Sequence, residues 1–456
     1  MALIELSLDT PEAPADAPRP AWLYRRAGLA LAVLLVLALG GAAPGTFATW
    51  RHDARIPMAG GTDFQLAGGR IYVVDEVDEA LVLSAWEPEG PRRIWSRPPE
   101  GSHDGPYFVS AATGDLAMLR TGRRTDVLDA RTGELRWSAT SALTRLTDRT
   151  GFMQVEQFRP GTEYDPASGD PGRLYGTTNE VLHTEPALST ELRGVDLVTG
   201  ATRWATSLTG SVYATWTGAA RNLLVVLSAG RLAVLSPATG KVLRERAMTP
   251  QESAAPSGTI PSREDVAADA AWGEVVGDLV LVHQGSFGEG GRVTAYALDT
   301  LDQRWQRDQP DPAGSSATCV ALLCQRSPAG LTVLDPATGL PRWQAGGGDL
   351  RPFGAGEVLQ DPSEGSPLRT RDRATGRIRA EFPDWEGPVQ VAGLDAYVLT
   401  HLDPDGHTVF GLLLPDRAAV QVLGRMTDLP EYCMADTRRI ACRVAEGAVE
   451  VWSYRS

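Results

Sequence analysis

The side chains that could perform chemistry are scattered along this chain and form no familiar catalytic motif. Six histidines stand apart from one another, at His52, His103, His183, His283, His401 and His407. The sequence has no Gly-x-Ser-x-Gly elbow, no His-Glu-x-x-His pair, no phosphate-binding loop and no dinucleotide-binding glycine pattern. We interpret the histidines as ordinary loop or strand residues. The sequence predicts no catalytic, cofactor-binding or metal-ligating residue.

One short segment, Asp403 to Thr408, places carboxylates two residues apart and raises the question of a calcium-binding loop. It lacks the remaining ligands and the distal glutamate that such a loop requires. Asp, Pro and Gly are also the residues that close tight turns. We therefore predict a hairpin turn at this segment.

The four cysteines are spaced as hairpin partners. Cys319 and Cys324 have four residues between them, and Cys433 and Cys442 have eight. In an antiparallel hairpin with an even separation the two residues face each other, with Cα atoms about 4.5 to 5.5 Å apart, which is within disulfide range. We predict two disulfides, the first about a turn at Ala321-Leu322. Reduced structural thiols and a metal site are the alternatives, and the metal site lacks a Cys-x-x-Cys pair and nearby histidine.

A repeated segment must set the positions of all these residues. Its clearest copies run from Val127 to Trp137, from Gly194 to Trp204 and from Thr332 to Trp343, each an apolar strand, an Asp-x-x-Thr-Gly turn and a strand ending in Trp. Three weaker copies and two degenerate ones, Ser84 to Trp95 and Gly411 to Leu423, bring the number of hairpins to eight. The structural positions of the repeat are Asp129, Thr132, Gly133, Trp137, Asp196, Thr199, Gly200, Trp204, Thr239, Gly240, Thr300, Trp305, Asp335, Thr338, Gly339, Trp343, Thr375 and Gly376.

The chemistry of the turn explains these residue types. Asp accepts a hydrogen bond from the backbone two residues on, and Gly supplies the positive φ that closes the connection. Trp can lay its ring against the neighbouring unit and find an indole acceptor at the edge. Further apolar pairs upstream give four short strands per unit, as a propeller blade requires. We predict an all-β fold with one β-propeller of eight blades, within a range of seven to nine, closed by a strand between Trp50 and Met58.

These residues resemble the PQQ-like, or quinoprotein-type, propeller repeat, including that of BamB-like proteins. The quinoprotein dehydrogenases of this type bind pyrroloquinoline quinone in the axial channel, under a disulfide of adjacent cysteines and beside a calcium ion. This chain has no Cys-Cys pair, and its two asparagines, Asn179 and Asn222, have no calcium-site context. A membrane-bound quinoprotein oxidoreductase with an atypical site is the alternative function. The BamB resemblance implies a part in envelope protein assembly.

An apolar segment near the N-terminus predicts a membrane anchor. Residues 27–43 are entirely apolar or glycine and follow Arg25 and Arg26. Such a run can cross a bilayer, and the positive-inside rule places the arginines in the cytoplasm. A cleaved signal peptide or a twin-arginine export signal are the alternatives. We predict a single-pass protein of the cell membrane, with a disordered cytoplasmic tail over 1–26, a transmembrane helix over 27–49 and an extracytoplasmic propeller over 50–456.

The charge of the chain limits its partners. A net charge of −14 argues against nucleic acid, because phosphate binding needs clustered Lys and Arg. Two stretches, Phe158 to Glu191 and Ala247 to Ala271, exceed ordinary loop lengths, and loops of that length are often functional. The sequence therefore predicts a non-catalytic scaffold or sensor that binds a protein or envelope partner outside the cytoplasm.

Overall fold

Short strands separated by glycine-rich turns run through the whole of the described chain. The computed structural model describes residues 50–454, apart from gaps at 59–62, 78–79, 99–106, 114, 122–123, 170–173, 177–180, 229, 249–269, 287–289, 310–318, 320–321, 328–329, 363–365, 416, 418 and 446. These residues belong to one unit, Ala48–Arg455. Apart from strands, they include a single turn of 3-10 helix, Pro166–Ser168.

The first strand of the chain, β1 (Arg51–Pro57), is followed by blades built as antiparallel meanders. Blade 1 contains β2 (Phe64–Ala67), β3 (Arg70–Val77), β4 (Ala80–Trp86) and β5 (Arg93–Arg97). Blade 2 contains β6 (Tyr107–Ala112), β7 (Leu116–Thr121), β8 (Arg124–Asp129) and β9 (Leu135–Ala139). Blade 3 contains β10 (Leu143–Arg145), β11 (Thr150–Gln157), β14 (Ser189–Asp196) and β15 (Thr202–Thr209), and encloses the separate pair β12 (Tyr175–Gly176) and β13 (Leu182–His183). Blade 4 contains β16 (Val212–Trp216), β17 (Leu224–Ser228), β18 (Arg231–Leu235) and β19 (Val242–Ala247).

The second half of the ring continues the pattern. Blade 5 contains β20 (Ala270–Val276), β21 (Leu279–Ser286), β22 (Gly290–Ala297) and β23 (Gln303–Gln309). Blade 6 shows β24 (Cys324–Ser327), β25 (Gly330–Leu334) and β26 (Pro341–Gly346) within the described residues. Blade 7 contains β27 (Asp349–Phe353), β28 (Glu357–Asp361), β29 (Leu368–Asp372) and β30 (Ile378–Phe382). Blade 8 contains β31 (Glu386–Gln390), β32 (Tyr397–Leu402), β33 (Thr408–Leu413) and β34 (Gln421–Met426). Blade 9 contains β35 (Pro430–Ala435), β36 (Arg439–Val444) and β37 (Ala448–Ser453), with β1 at its edge.

The structure confirms an all-β propeller of four-stranded blades, and it has nine blades, so the prediction of eight is wrong. All eight hairpins found in the sequence, the two degenerate ones included, form separate blades. The ninth blade arises because the C-terminal fragment supplies three strands and β1 pairs with β37 as the fourth. The predicted closing strand between Trp50 and Met58 is therefore confirmed, and the count of nine is the upper limit of the predicted range of seven to nine.

Apolar side chains fill the spaces between blades. Contacts between neighbouring blades join their first strands, as for β2 with β6 and β31 with β35, which places the first strand of each blade on the inside of the ring. Strand β17 is buried along its whole length because blades lie on both of its faces. The outer strand β19 is mostly exposed. Each core cluster therefore belongs to two adjacent blades, as for the cluster that joins blades 1 and 2.

The N-terminal predictions concern residues that the structure does not describe. The predicted tail over 1–26 and the predicted transmembrane helix over 27–49 both lie outside the described residues. Within the described part of the chain, no helix has the length and apolar character needed to cross a bilayer.

Both predicted disulfides are confirmed. Cys433 and Cys442 face each other in the β35–β36 register, with Cα atoms 4.1 Å apart. Cys319 and Cys324 are joined with Cα atoms 6.0 Å apart. The observed hydrogen bond, from the Leu322 N–H to the Cys319 carbonyl at 2.7 Å, differs from the predicted turn, in which Ala321 and Leu322 are the central residues.

Removing the second disulfide should weaken the ninth blade measurably. The Cys433→Ala/Cys442→Ala pair opens a loop of ten residues, and chain entropy predicts a loss of about 2 to 3 kcal/mol in the free energy of unfolding. Chemical denaturation of the full chain measures this loss. Alkylation before and after reduction gives the control, and thiol labelling of the unreduced protein would contradict the two bonds.

Candidate binding surface

The repeat residues build turns that are alike from blade to blade. Asp129 Oδ1 accepts the N–H groups of Arg131 at 2.8 Å and Thr132 at 3.2 Å, and the Gly133 N–H donates to the Asp129 carbonyl at 2.8 Å. Gly133 adopts φ 74°, which favours glycine. The same bonds recur at the other two complete copies, headed by Asp196 and Asp335.

In some blades an arginine side chain donates a hydrogen bond to the turn aspartate. Arg203 donates to Asp196 Oδ2 at 2.5 Å. This hydrogen bond and the backbone N–H groups of Thr199 and Val198 hold the pKa of Asp196 below its ordinary value. The turn carboxylate is thus ionised and used by its own hairpin at neutral pH.

Each repeat Trp packs on the turn glycine of the next blade. The Trp204 indole N–H donates to the Pro237 carbonyl at 2.8 Å, and a Cβ added to Gly240 would lie 2.4 Å from the Trp204 ring. The same arrangement joins Trp137 to Gly200 and Trp343 to Gly376. Thr239-Gly240 and Thr375-Gly376 are therefore docking sites in blades that have no Trp of their own. These residues hold the ring together and do not form a ligand site.

This docking explains why one turn of the repeat has no glycine. Leu301 stands where a turn glycine is expected, with φ 60°. The Trp that would cover it belongs to blade 4, where Arg244 takes the Trp position opposite Val234. With no indole ring to accommodate, the site can hold a side chain, and Leu301 is buried in the space.

The two faces of the ring carry different features. Strands alternate in direction within a blade, so its connections fall alternately at two edges. The face with the Thr-Gly turns, such as residues 130–134, is called here the turn face. The opposite face, with the connections between second and third strands and between blades, is called the insertion face and includes residues 158–188 and 403–407. The second long stretch, Ala247 to Ala271, begins and ends as β19 and β20, and residues 249–269 lie outside the described residues.

Outside residues 170–173 and 177–180, the insertion of blade 3 contains paired β-structure and is not a plain connection. The predicted stretch from Phe158 to Glu191 includes the start of β14, so the insertion proper is 158–188. Its strands β12 and β13 pair through Tyr175 and His183. The Tyr164 N–H donates to the Leu182 carbonyl at 2.8 Å, which adds a third segment to the pair.

Side-chain contacts fix the base of the insertion. The rings of Phe158 and His183 stack with centroids 3.7 Å apart and planes 7° from parallel. Thr162 is buried, and its Oγ1 donates to the Arg159 carbonyl at 2.9 Å and lies 3.0 Å from His183 Nδ1. Arg159 pairs with Glu185 at 3.2 Å across the two arms. His183 is thus a structural residue of the insertion, with both arms attached to it.

The inner strands of blades 7, 8, 9 and 1 line a cavity of about 520 Å³. Its lining includes Arg351, Gln390 and Tyr432. Arg351 is already engaged, because it donates to Asp361 Oδ2 at 3.0 Å and to the Pro388 carbonyl at 3.3 Å. Burial raises the pKa of Asp361 despite this partner.

The described part of this cavity does not fit a quinone with its calcium ion. Such a site needs clustered carboxylate and amide ligands and a disulfide of adjacent cysteines. Within the described residues, the single close group of three carboxylate or imidazole side chains is Asp403, Asp405 and His407, and it lies in the β32–β33 turn. No reaction step through a quinone is derived for this chain.

The Asp403 group is the predicted hairpin turn. Asp403 Oδ1 accepts the N–H groups of Asp405 at 3.0 Å and His407 at 2.8 Å. These bonds account for the spacing of the acidic residues by local turn chemistry. The group carries no argument for a metal site.

Comparison with known sequences supports the nature of the repeat. Residues 188–375 match the family described as "Outer membrane protein assembly factor BamB". The match runs from the end of the insertion to the turn of blade 7 and covers less than half of the chain. These blades are thus similar to the PQQ-like propeller repeat. No curated protein matches the chain.

Three solved structures that are similar to this chain are distant likenesses. BamB from Moraxella catarrhalis is 15% identical, with 89% of this chain and 100% of that chain covered and a TM-score of 0.39. Quinohemoprotein alcohol dehydrogenase from Comamonas testosteroni is 13% identical, with 89% and 76% covered and a TM-score of 0.41. A europium-containing methanol dehydrogenase is 12% identical, with 88% and 84% covered and a TM-score of 0.38. Likenesses this distant do not discriminate between binding and catalysis.

Proposed function

We propose that this chain is a membrane-anchored, extracytoplasmic propeller that binds a protein partner through its insertion face and catalyses no reaction. The observation that carries the proposal is the paired β-structure in the described part of the blade 3 insertion. Loops held on a rigid scaffold are common carriers of binding function. A projection fixed by strand pairing loses little conformational entropy when it meets a partner.

The surface of the insertion suits a protein partner. Leu188, at its return to β14, is 56% exposed. Phe158, Tyr164, Tyr175 and Leu182 are each half-buried, so an edge of each faces solvent. Aromatic side chains with an apolar body and little flexibility are favoured at the centre of protein interfaces.

Two further observations support the proposed compartment and role. Both disulfides, Cys319–Cys324 and Cys433–Cys442, favour an oxidising environment, where such bonds persist. The apolar run after Arg25 and Arg26 supports an N-terminal anchor with the propeller outside the cytoplasm. The family matched by residues 188–375 is described by its part in outer-membrane protein assembly. On the basis of that description, we propose that this chain has a role in assembling or sensing envelope proteins.

A deletion of the insertion tests the proposal. Gln157 and Ser189 are opposite each other in the β11–β14 register, so Asn-Gly can replace residues 158–188 as a two-residue hairpin turn. We expect chemical crosslinking and affinity capture of the full-length protein from its membrane to recover a specific partner. The deletion should reduce that recovery at least tenfold, because the interface centre is removed.

Matched single substitutions separate binding from folding. Leu188→Glu places a charge on the insertion, and Leu340→Glu places one on the turn face, where Leu340 is 64% exposed. We expect Leu188→Glu alone to lose the partner, with the thermal midpoint of both variants unchanged. Equal recovery with both variants, or no partner with the parent chain, would contradict the proposal.

A further inference from the structure

An arginine recurs three residues after the turn glycine position and normally belongs to its own turn. In blade 2, Arg136 donates to Asp129 Oδ2 at 2.6 Å. In blade 3, Arg203 makes the same bond to Asp196 at 2.5 Å, and in blade 7 Arg379 pairs with its turn aspartate. In these blades the positive charge is neutralised within the hairpin.

Blades 5 and 6 break this pattern. Arg304 and Arg342 hold the equivalent positions, directly before Trp305 and Trp343. In blade 5 the aspartate is replaced by Ala297, so Arg304 has no turn carboxylate. Within the described part of the chain, neither Arg304 nor Arg342 makes a side-chain hydrogen bond or ion pair, and both side chains are exposed.

The two unpaired arginines line the same cavity. It has a volume of about 740 Å³ and lies on the turn face, between blades 5, 6 and 7. Apolar side chains from these blades also line it, and they are Leu279, Leu322, Leu323, Val333, Leu334 and Pro336. Arg373 of blade 7 is a third arginine in the lining, so the cavity combines an apolar wall with cationic groups from three adjacent blades.

The acidic residues of the cavity do not cancel this charge. Asp278 pairs with Arg221 at 2.5 Å, and Arg221 is not part of the lining. Asp372 pairs with Arg379 and accepts the Thr375 hydroxyl at 2.8 Å. Each lining carboxylate is therefore paired with an arginine from outside the cavity, so neither of them neutralises Arg304 or Arg342.

From these contacts we infer that the turn-face cavity binds an organic carboxylate with an apolar body. A guanidinium group presents a planar fork of donors that matches a carboxylate, and the apolar wall accommodates the body of the ligand. The volume lies within the range of about 300 to 1,000 Å³ that is common for small-molecule sites. The source of the carboxylate is either a free organic acid or an acidic side chain of a peptide segment.

Calorimetric titration of the full-length chain in detergent tests the inference with both sources. The probes are azelate and the peptide acetyl-Leu-Glu-Leu-Glu-amide, each compared with its neutral counterpart, nonanediamide and acetyl-Leu-Gln-Leu-Gln-amide. We expect one acidic probe to bind and its counterpart not to bind. Arg304→Gln/Arg342→Gln should weaken binding at least tenfold, because two charge-assisted hydrogen-bonding groups are lost. The probe that binds identifies the source.

A charge-matched variant gives the control. Arg244→Gln/Arg377→Gln also removes two exposed arginines that make no side-chain bond within the described residues, and neither lines the cavity. It should bind like the parent. Absence of binding by both acidic probes, equal weakening by the two double variants, or binding of inorganic phosphate in their place would overturn the inference. These results are independent of partner capture at the insertion face, so either proposal can fail alone.

Discussion

Replacing Trp204 by alanine is expected to lower the free energy of unfolding by about 3 kcal/mol, the loss typical of a large aromatic core truncation. The ring lies between Gly194 of its own blade and Gly240 of the next, and an added Cβ at either glycine would approach it within 2.4 Å. The substitution also leaves the Pro237 carbonyl without the indole donor. A cavity therefore opens between blades 3 and 4.

Denaturant unfolding of the full chain measures this loss of free energy. Two further variants serve as controls. Trp204→Phe keeps most of the ring and should lose about 1 kcal/mol, the usual contribution of one hydrogen bond. Arg244→Ala changes the equivalent position of blade 4, where the side chain is exposed, and should stay within about 0.5 kcal/mol of the parent. Equal effects of Trp204→Ala and Arg244→Ala would show that the docking does not hold the blades together.

Replacing Ile56 by aspartate is expected to open the ring, with a loss of at least about 3 kcal/mol, because an unpaired charge is buried. Ile56 is 0% exposed in the cluster that joins blades 9 and 1. It lies on β1, the strand that closes blade 9 from the other end of the chain. Trp50 assists the closure, since its ring packs on Gly424 and its indole donates to the Arg425 carbonyl at 3.1 Å.

Two control variants separate the effect of a buried charge from the effects of lost side-chain volume and of a lost ion pair. Ile56→Val removes one methylene and should cost about 1 kcal/mol. Arg55→Gln on the same strand removes the ion pair with Glu450, in which the Arg55 side chain is half-exposed. This substitution should lower the free energy of unfolding by no more than about 1 kcal/mol. Thermal unfolding and limited proteolysis near residue 50 give the readout. A folded, protease-resistant Ile56→Asp protein would contradict closure by β1.

The fold could be predicted from the sequence where the repeat is defined by residue types that lie close together in the chain. The turn at Asp196 and the Trp204 ring depend on a few neighbouring residue types, and these types are visible in the sequence. The closing strand β1 was predicted as well, but the ninth blade was missed in the count because none of its connections carries an Asp-x-x-Thr-Gly turn. A count of blades that depends on this turn therefore stops at eight.

The candidate sites were less predictable than the fold. The long stretch after Phe158 was recognised by its length, yet the pairing of Tyr175 with His183 has no strong strand pattern. Arg304 and Arg342 attract no attention as single residues, since other copies of the repeat carry the same arginine. Their significance depends on a missing partner at Ala297 and on a cavity shared by three blades, and both are properties of the packed ring.

Site-specific photocrosslinking tests whether a partner binds through the insertion face. A benzoyl-phenylalanine at Leu188 would sample the insertion face, and one at Leu340 would sample the turn face, from side chains of similar exposure. In the full-length chain in its own membrane, we expect a light-dependent adduct with one protein from Leu188 and none from Leu340. An adduct from Leu340 alone, or from neither position, would contradict partner binding through the insertion face.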